Sequence, residues 1–114
     1  MGYRVEISPA ALDDAERAYG WLASRSGGYA IAWFNALLEA TLSLGDFPMR
    51  CPLVPESRLA ALGLRHLMVG SGASTYRIIF RFARDEAEDQ DIVRVLRIWH
   101  ASRRALNVQD VSSG

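Results

Sequence analysis

The sequence TYRIIFRFAR occupies residues 75–84 and has the pattern of a β-strand, rich in β-branched and aromatic residues. Alternation places two sets of side chains on opposite faces of this strand. One set is apolar and belongs in a core: Tyr76, Ile78, Phe80 and Phe82. The other set is Arg77, Ile79, Arg81 and Ala83, which we expect on an open face of the sheet. That face is either an ordinary solvated surface or a cationic surface for phosphate or an acidic partner peptide.

Two further strands are predicted beside this one, at residues 64–69 and 92–99. Their connections, at residues 70–74 and 85–91, are short enough for an antiparallel meander. A fourth strand is predicted over residues 3–7, where apolar and charged side chains alternate.

Two helices are predicted between the first strand and the meander. Ser8 and Pro9 have the residue types of an N-cap and a first helical position, and Gly27-Gly28 is expected to end that helix. The second helix is predicted over residues 29–44, and its apolar surface is wide enough to be buried on two sides. One side faces the domain core, and we assign Trp33 and Leu37 to the side that meets a partner protein.

These elements predict an α+β fold of order β-α-α-β-β-β, an antiparallel sheet with an N-terminal helical hairpin packed on one face. The 114 residues are expected to form a single domain, 1–114, with a short helix over 101–108 and a frayed end at about 109–114. Residues 46–63 contain three prolines and are expected to form a long loop with a functional or partner-stabilised role.

Composition narrows the class of protein. Half of the residues are apolar, which excludes a disordered chain, and no stretch approaches the roughly 20 apolar residues of a membrane span. The N-terminus has no pattern of a signal peptide, and the single cysteine, Cys51, has no partner for an internal disulfide. We therefore expect a cytoplasmic protein that does not interact with membranes.

Charge is balanced overall but unevenly distributed. All 13 basic residues are arginines, whose planar forks suit carboxylates and phosphates. Residues 50–84 hold six arginines and a single acid, Glu56, whereas residues 85–91 hold five acids and no base.

Few residues offer catalytic chemistry. His100, at a strand end, is the one candidate for proton transfer near neutral pH, while His66 is expected to be a partly buried polar residue. Cys51 is expected to be an unreactive loop or core thiol. Two histidines and one cysteine do not make a zinc site, so we expect no metal and no cofactor.

The assembled pattern resembles the RelE/ParE superfamily of toxins from type II toxin–antitoxin pairs, over about residues 3 to 106. The resemblance rests on the order and spacing of several short motifs: Tyr3–Ile7 followed by Ser8-Pro9-Ala10-Ala11, Asp46-Phe47-Pro48, Leu64-Arg65, Val69-Gly70, residues 76–81, and Val93-Arg94-Val95-Leu96 leading to His100 and Arg103. It implies a small toxin that a cognate antitoxin neutralises by wrapping its helices and sheet. It also implies a role in growth inhibition and plasmid stabilisation.

Members of the superfamily differ in their target. ParE-like members inhibit DNA gyrase, and the long helical hairpin and the ending from His100 to Arg103 are more similar to these. RelE-like members cleave mRNA on the ribosome, which would give catalytic roles here to Arg77, His100, Arg81 and Arg103. Zero net charge and the absence of a late tyrosine disfavour this alternative. A third alternative keeps the fold without toxicity. In the favoured reading, the antitoxin contacts Trp33, Leu37, Arg77, Arg81, Arg103 and Arg104, with its carboxylates on one or more of the arginines.

Overall fold

The computed structural model describes residues 2–112 and confirms the α+β class, with a helical hairpin ahead of the meander. Its helices and strands are β1 (Arg4–Ile7), α1 (Pro9–Ala23), α2 (Gly27–Ser43), α3 (Ser57–Ala61), β2 (Arg65–Val69), β3 (Tyr76–Asp85), β4 (Gln90–His100) and α4 (Val108–Ser112), with 3-10 turns at Pro48–Arg50 and Gly72–Ser74. The last residues of the expected frayed end, 113 and 114, lie outside the described part of the chain.

The four strands form one sheet in the order β1-β4-β3-β2. β2, β3 and β4 are the expected antiparallel meander, but β1 pairs with β4 in parallel, so the sheet is mixed. A parallel pair cannot be joined by a tight turn, and here the helical hairpin, α3, β2 and β3 all lie between β1 and β4 in the chain. Ser8 continues this pairing, because its backbone N–H donates to the carbonyl of Val95 at 2.9 Å.

Local sequence sets the helix starts. The Ser8 hydroxyl accepts from the backbone N–H of Ala11, and Pro9 is the first residue of α1, as predicted. Gly27 and Gly28 differ from the expectation: they are the first two residues of α2, because Ser26 caps that helix by accepting from the N–H of Tyr29.

The prediction of a helix over residues 101–108 is wrong. Residues 101–107 have no helical structure, and α4 begins only at Val108. The backbone groups of this segment have tertiary partners instead: the carbonyl of Arg104 accepts from the Trp99 indole, and the N–H of Leu106 donates to Glu56. Tertiary hydrogen bonds therefore override a local helical preference here.

The sheet carries a hydrophobic core on each of its faces. The first lies under α1 and α2 and includes Ile78 and Phe80, as alternation along β3 predicts. The second contains Ile79 and Trp99, and it is covered by α3, the loop before it and the C-terminal segment. The face that we expected to be open is therefore largely closed by the chain itself.

Candidate functional site

The two apolar stripes of α2 have opposite environments, and the expectation for Trp33 and Leu37 is wrong. Both side chains are only 3% exposed and belong to the core between the helices and the sheet. The Trp33 ring packs edge-on against Tyr76, with 5.0 Å between ring centroids. Neither residue is accessible to a partner in this structure.

The other stripe of α2 is the exposed one. Ile31, Leu38 and Leu42 are 55%, 42% and 69% exposed, and Leu12 of α1 is exposed beside them. Phe34 lies between the two helices and contacts Tyr19 edge-on at 5.6 Å between ring centroids. The second apolar side of α2 that the sequence predicts is therefore exposed, but it is formed by the alternative stripe.

All of these residues except Leu42 line a groove between α1 and α2, which we call the helical groove. One part is a cavity of about 440 Å³ lined by Glu16, Tyr19, Ile31, Phe34 and Asn35. A smaller cavity of about 50 Å³ shares Phe34 and is lined almost entirely by apolar side chains, including Ile7, Leu12 and Leu38. The smaller cavity reaches inward to the buried side chains of Leu37, Val95 and Ile98, so the groove is a mostly apolar depression between the two helices whose floor lies in the first core.

Arg77 does not lie on an open face. It is 7% exposed, and its guanidinium donates two hydrogen bonds to the Glu56 carboxylate at 2.7 and 2.8 Å. Its Nε donates to Nδ1 of His66 at 3.0 Å. The guanidinium of Arg77 is therefore already hydrogen-bonded to groups of this chain.

Glu56 is the residue of this cluster that the sequence analysis did not identify as a site. Its carboxylate also accepts from the backbone N–H of Leu106 at 3.0 Å, so it joins the loop before α3 to the C-terminal segment. The hydrogen bonds from Arg77 lower the pKa of Glu56 to about 2. Burial, followed by the charge of Arg77, lowers the pKa of His66. The available signal was that Glu56 is the single acid among residues 50–84.

The remaining predicted arginines have three different environments. Arg104 is paired with Asp110 through two hydrogen bonds of 2.8 and 2.9 Å, and this pairing lowers the pKa of Asp110 to about 2. Arg103 stacks on the buried Trp99 ring, 3.8 Å from its centroid. Arg81 lies opposite Arg94 across β3 and β4. Among residues 2–112, Arg81 and Arg103 have no ion pair.

His100 is held by protein groups at both ring nitrogens. Nε2 lies 2.7 Å from the carbonyl oxygen of Ala73, which only accepts, so Nε2 carries the proton. Nδ1 then accepts from the backbone N–H of Ser102 at 3.1 Å. The ring also packs edge-on against Tyr76, with 4.9 Å between ring centroids.

A family model for the ParE toxin of type II toxin–antitoxin systems, parDE, matches residues 5–105. The chain belongs to the ParE toxin family. A solved structure described as a chromosomal ParDE system from P. aeruginosa is similar in fold, with a TM-score of 0.63 at 16% identity. The alignment covers 86% of this chain and 95% of that one. No curated protein matches the sequence.

The fold of this ParE-family chain does not gather the four residues named for an RNase into one free site. Arg77 and His100 are bound by groups of the chain itself, and they lie on opposite faces of the sheet. Arg81 is four residues further along β3 from Arg77, away from Arg103. Alternation correctly predicted which residues share a face, but it did not predict what covers that face.

Three further features of the ParE-family chain bear on the sequence predictions. Cys51 is buried, and this burial raises the pKa of its thiol. Within residues 2–112, no cluster of three or more His, Cys, Asp or Glu side chains is placed to hold a metal ion. None of the helices in this part of the chain has the length and hydropathy needed to cross a bilayer.

Proposed function

We propose that this ParE-family chain is a cytoplasmic toxin that inhibits DNA gyrase and is neutralised by a cognate antitoxin bound in the helical groove. By this activity it would inhibit growth and stabilise the plasmid or locus that carries the pair. The observation that carries the antitoxin part of the proposal is the exposed apolar stripe of Ile31, Leu38 and Leu42.

The groove is suited to an apolar segment of a partner chain. Contiguous apolar patches of several hundred Å² are uncommon on monomers and mark interaction surfaces. Leu38, Phe34 and Leu12 line one continuous depression, so a helix or an extended segment with apolar residues on one side would bury them together. The segment would also cover Ile31 and Tyr19 at the wider end.

A second antitoxin contact is proposed at Arg81. Arg77 and Arg104 have internal carboxylate partners, which leaves Arg81 and Arg103 without one among residues 2–112, and of these two Arg81 lies on the sheet. An antitoxin carboxylate there would increase the association rate at low salt and lose this advantage as salt is raised. For Arg81→Ala, we expect slower association at low ionic strength and no difference at high ionic strength. A salt dependence identical to that of the parent would exclude this contact.

The groove is tested with the antitoxin encoded beside the toxin gene. We expect Leu38→Asp to weaken antitoxin binding at least tenfold, about 1.4 kcal/mol, because a carboxylate would be buried in the interface. The control is Leu62→Asp, which is also exposed but lies outside the groove. Calorimetric titration of both variants gives the comparison. Equal affinities, with both variants folded by circular dichroism, would contradict the proposed groove.

For the target, the geometry favours gyrase over mRNA. An RNase of the RelE type needs Arg77 free for phosphate and His100 free for proton transfer, yet both are engaged by neighbouring groups. The net charge of zero also gives little attraction to a ribosomal RNA surface. These observations support a ParE-like inhibitor that acts by binding.

The two targets are separated by two assays on the induced toxin. We expect purified protein to inhibit supercoiling by gyrase while primer extension finds intact mRNA. Codon-specific mRNA cuts with normal supercoiling would favour the ribosomal alternative. Unchanged growth with neither effect would favour a member that keeps the fold without toxicity.

A further inference from the structure

A second cleft lies on the other side of α1 from the helical groove. It has a volume of about 310 Å³, between α1, the paired ends of β3 and β4, and the turn that follows β4. Its apolar floor includes Ala18 and Ile98, and its rim carries Arg17, Trp21 and Arg103. We call it the cationic cleft.

The guanidiniums of this rim are available to a ligand. Arg103 is pre-ordered by stacking on Trp99, and no carboxylate of residues 2–112 pairs with it. Arg17 is paired with Asp13 at 2.9 Å, but the pair is largely exposed, so it is weak and exchangeable. Asp14 adds no free negative charge, because its carboxylate accepts two hydrogen bonds from Arg97, at 2.7 and 2.8 Å.

Trp21 adds an exposed aromatic surface to the same rim. The residue is 54% exposed, and the guanidinium of Arg25 lies over its ring at 3.7 Å from the centroid. Tryptophan and arginine are the residues that most often dominate the binding energy of protein interfaces. The cleft therefore combines an aromatic anchor with an excess of positive charge.

The cleft and the groove require different binding segments. At 100° per residue, the groove residues Leu12, Glu16 and Tyr19 centre on one side of α1. The cleft residues Arg17, Ala18 and Trp21 centre about 180° away. One segment lying along the groove would have to cross over α1 to reach the cleft. The two surfaces also differ in chemistry, since one is apolar and the other is cationic.

We propose that the cationic cleft binds an acidic segment of the target protein. This inference rests on the proposed function, because it assigns the cleft to contact with gyrase while the groove holds the antitoxin. Target carboxylates pair with Arg17 and Arg103, and a neighbouring apolar or aromatic side chain packs against Trp21. A peptide fits better than a nucleic acid, because the whole chain has no net positive charge to attract a phosphate backbone.

The test compares binding of purified gyrase, without DNA, to three forms of the full chain. The cleft variant is Arg17→Ala/Arg103→Ala, and the control is Arg58→Glu, which makes the same change in net charge at an exposed position on α3, away from the cleft. We expect at least tenfold weaker binding for the cleft variant and less than twofold for the control. The parent's affinity should fall as salt is raised from 50 to 300 mM, and that of the cleft variant should fall less. These salt concentrations are about those over which exposed charges become screened.

Each outcome decides something different. If the parent binds gyrase and the cleft variant binds equally well, the cleft assignment is wrong although the proposed function stands. If the parent does not bind gyrase, the proposed target is wrong, and the cleft proposal with it. A further measurement tests binding of a 30-base-pair DNA duplex in the absence of gyrase. If the parent binds this duplex and the cleft variant does not, the cleft is a nucleic-acid site and the proposal of an acidic peptide is overturned.

Discussion

The outer surface of the helical hairpin and the sheet face away from the helices each have the opposite of the environment that their residue types suggest. The hairpin exposes Leu38 and Leu42, while the sheet buries the charged side chain of Arg77. The helical surface has no cover within the described chain. The sheet face is covered by α3 and by the C-terminal segment, which bring Glu56 to Arg77.

This difference shows how a buried charge and an exposed apolar patch are to be interpreted. A buried charge is tolerated when its hydrogen bonds are made, and Arg77 makes three, to Glu56 and His66. Exposure of contiguous leucines to water is unfavourable, so such a patch is typical of a surface that binds a partner. The covered sheet face therefore contributes to the stability of the chain, whereas we propose that the exposed hairpin surface binds a partner.

The largest expected effect comes from removing the ion pair on the covered face of the sheet. Arg77→Met removes the partner of a buried carboxylate, and we expect a loss of about 4 kcal/mol in the free energy of unfolding. Arg81→Met, on the same strand but without an ion pair within residues 2–112, is expected to cost less than about 0.5 kcal/mol. Urea denaturation measures both variants. Equal losses would mean that the pairing with Glu56 adds nothing to stability.

The double variant Arg77→Met/Glu56→Leu sharpens this result. Because it removes both charges together, we expect it to recover part of the loss of the single variant. A double variant that is less stable than Arg77→Met would show that Glu56 contributes through its bond to Leu106 rather than through Arg77.

The next effect compares two adjacent leucines of α2. Leu37→Ala creates a cavity in the core, and we expect it to lower the free energy of unfolding by about 3 kcal/mol. Leu38→Ala, in the exposed stripe, should lower it by less than about 0.5 kcal/mol but weaken antitoxin binding. Thermal unfolding and titration with antitoxin are the two measurements. The reverse pattern would mean that the two stripes of α2 are exchanged.

The smallest expected effect is a change in the free energy of unfolding with pH. The lowered pKa of Glu56 means that its contribution is complete above its ordinary pKa of 4.5 and is lost as pH falls towards about 2. From pH 7 to pH 3, we expect the difference in unfolding free energy between the parent and Glu56→Gln to shrink by about 2 kcal/mol. Urea denaturation at several pH values tests it, and a constant difference would show that the carboxylate has an ordinary pKa when folded.

Sequence reasoning succeeded where one local pattern was enough. The cap at Ser8, the meander and the alternation along β3 depend on neighbouring residues and on the period of a strand. It failed at α2, because two apolar stripes are equivalent on a helix seen alone. It also failed for residues 101–107, whose backbone groups bind Glu56 and Trp99 rather than one another.

The sequence by itself determined the α+β class, the order of the elements, the membership of the ParE toxin family and the existence of a second apolar side on α2. Only the tertiary structure decided which stripe of α2 is exposed, that β1 is parallel to β4, and that Glu56 and the C-terminal segment enclose Arg77. The physical reason is distance along the chain. Helical spacing and strand alternation are set within a few residues, whereas Glu56 and Leu106 meet across 50 residues, and no local pattern encodes that contact.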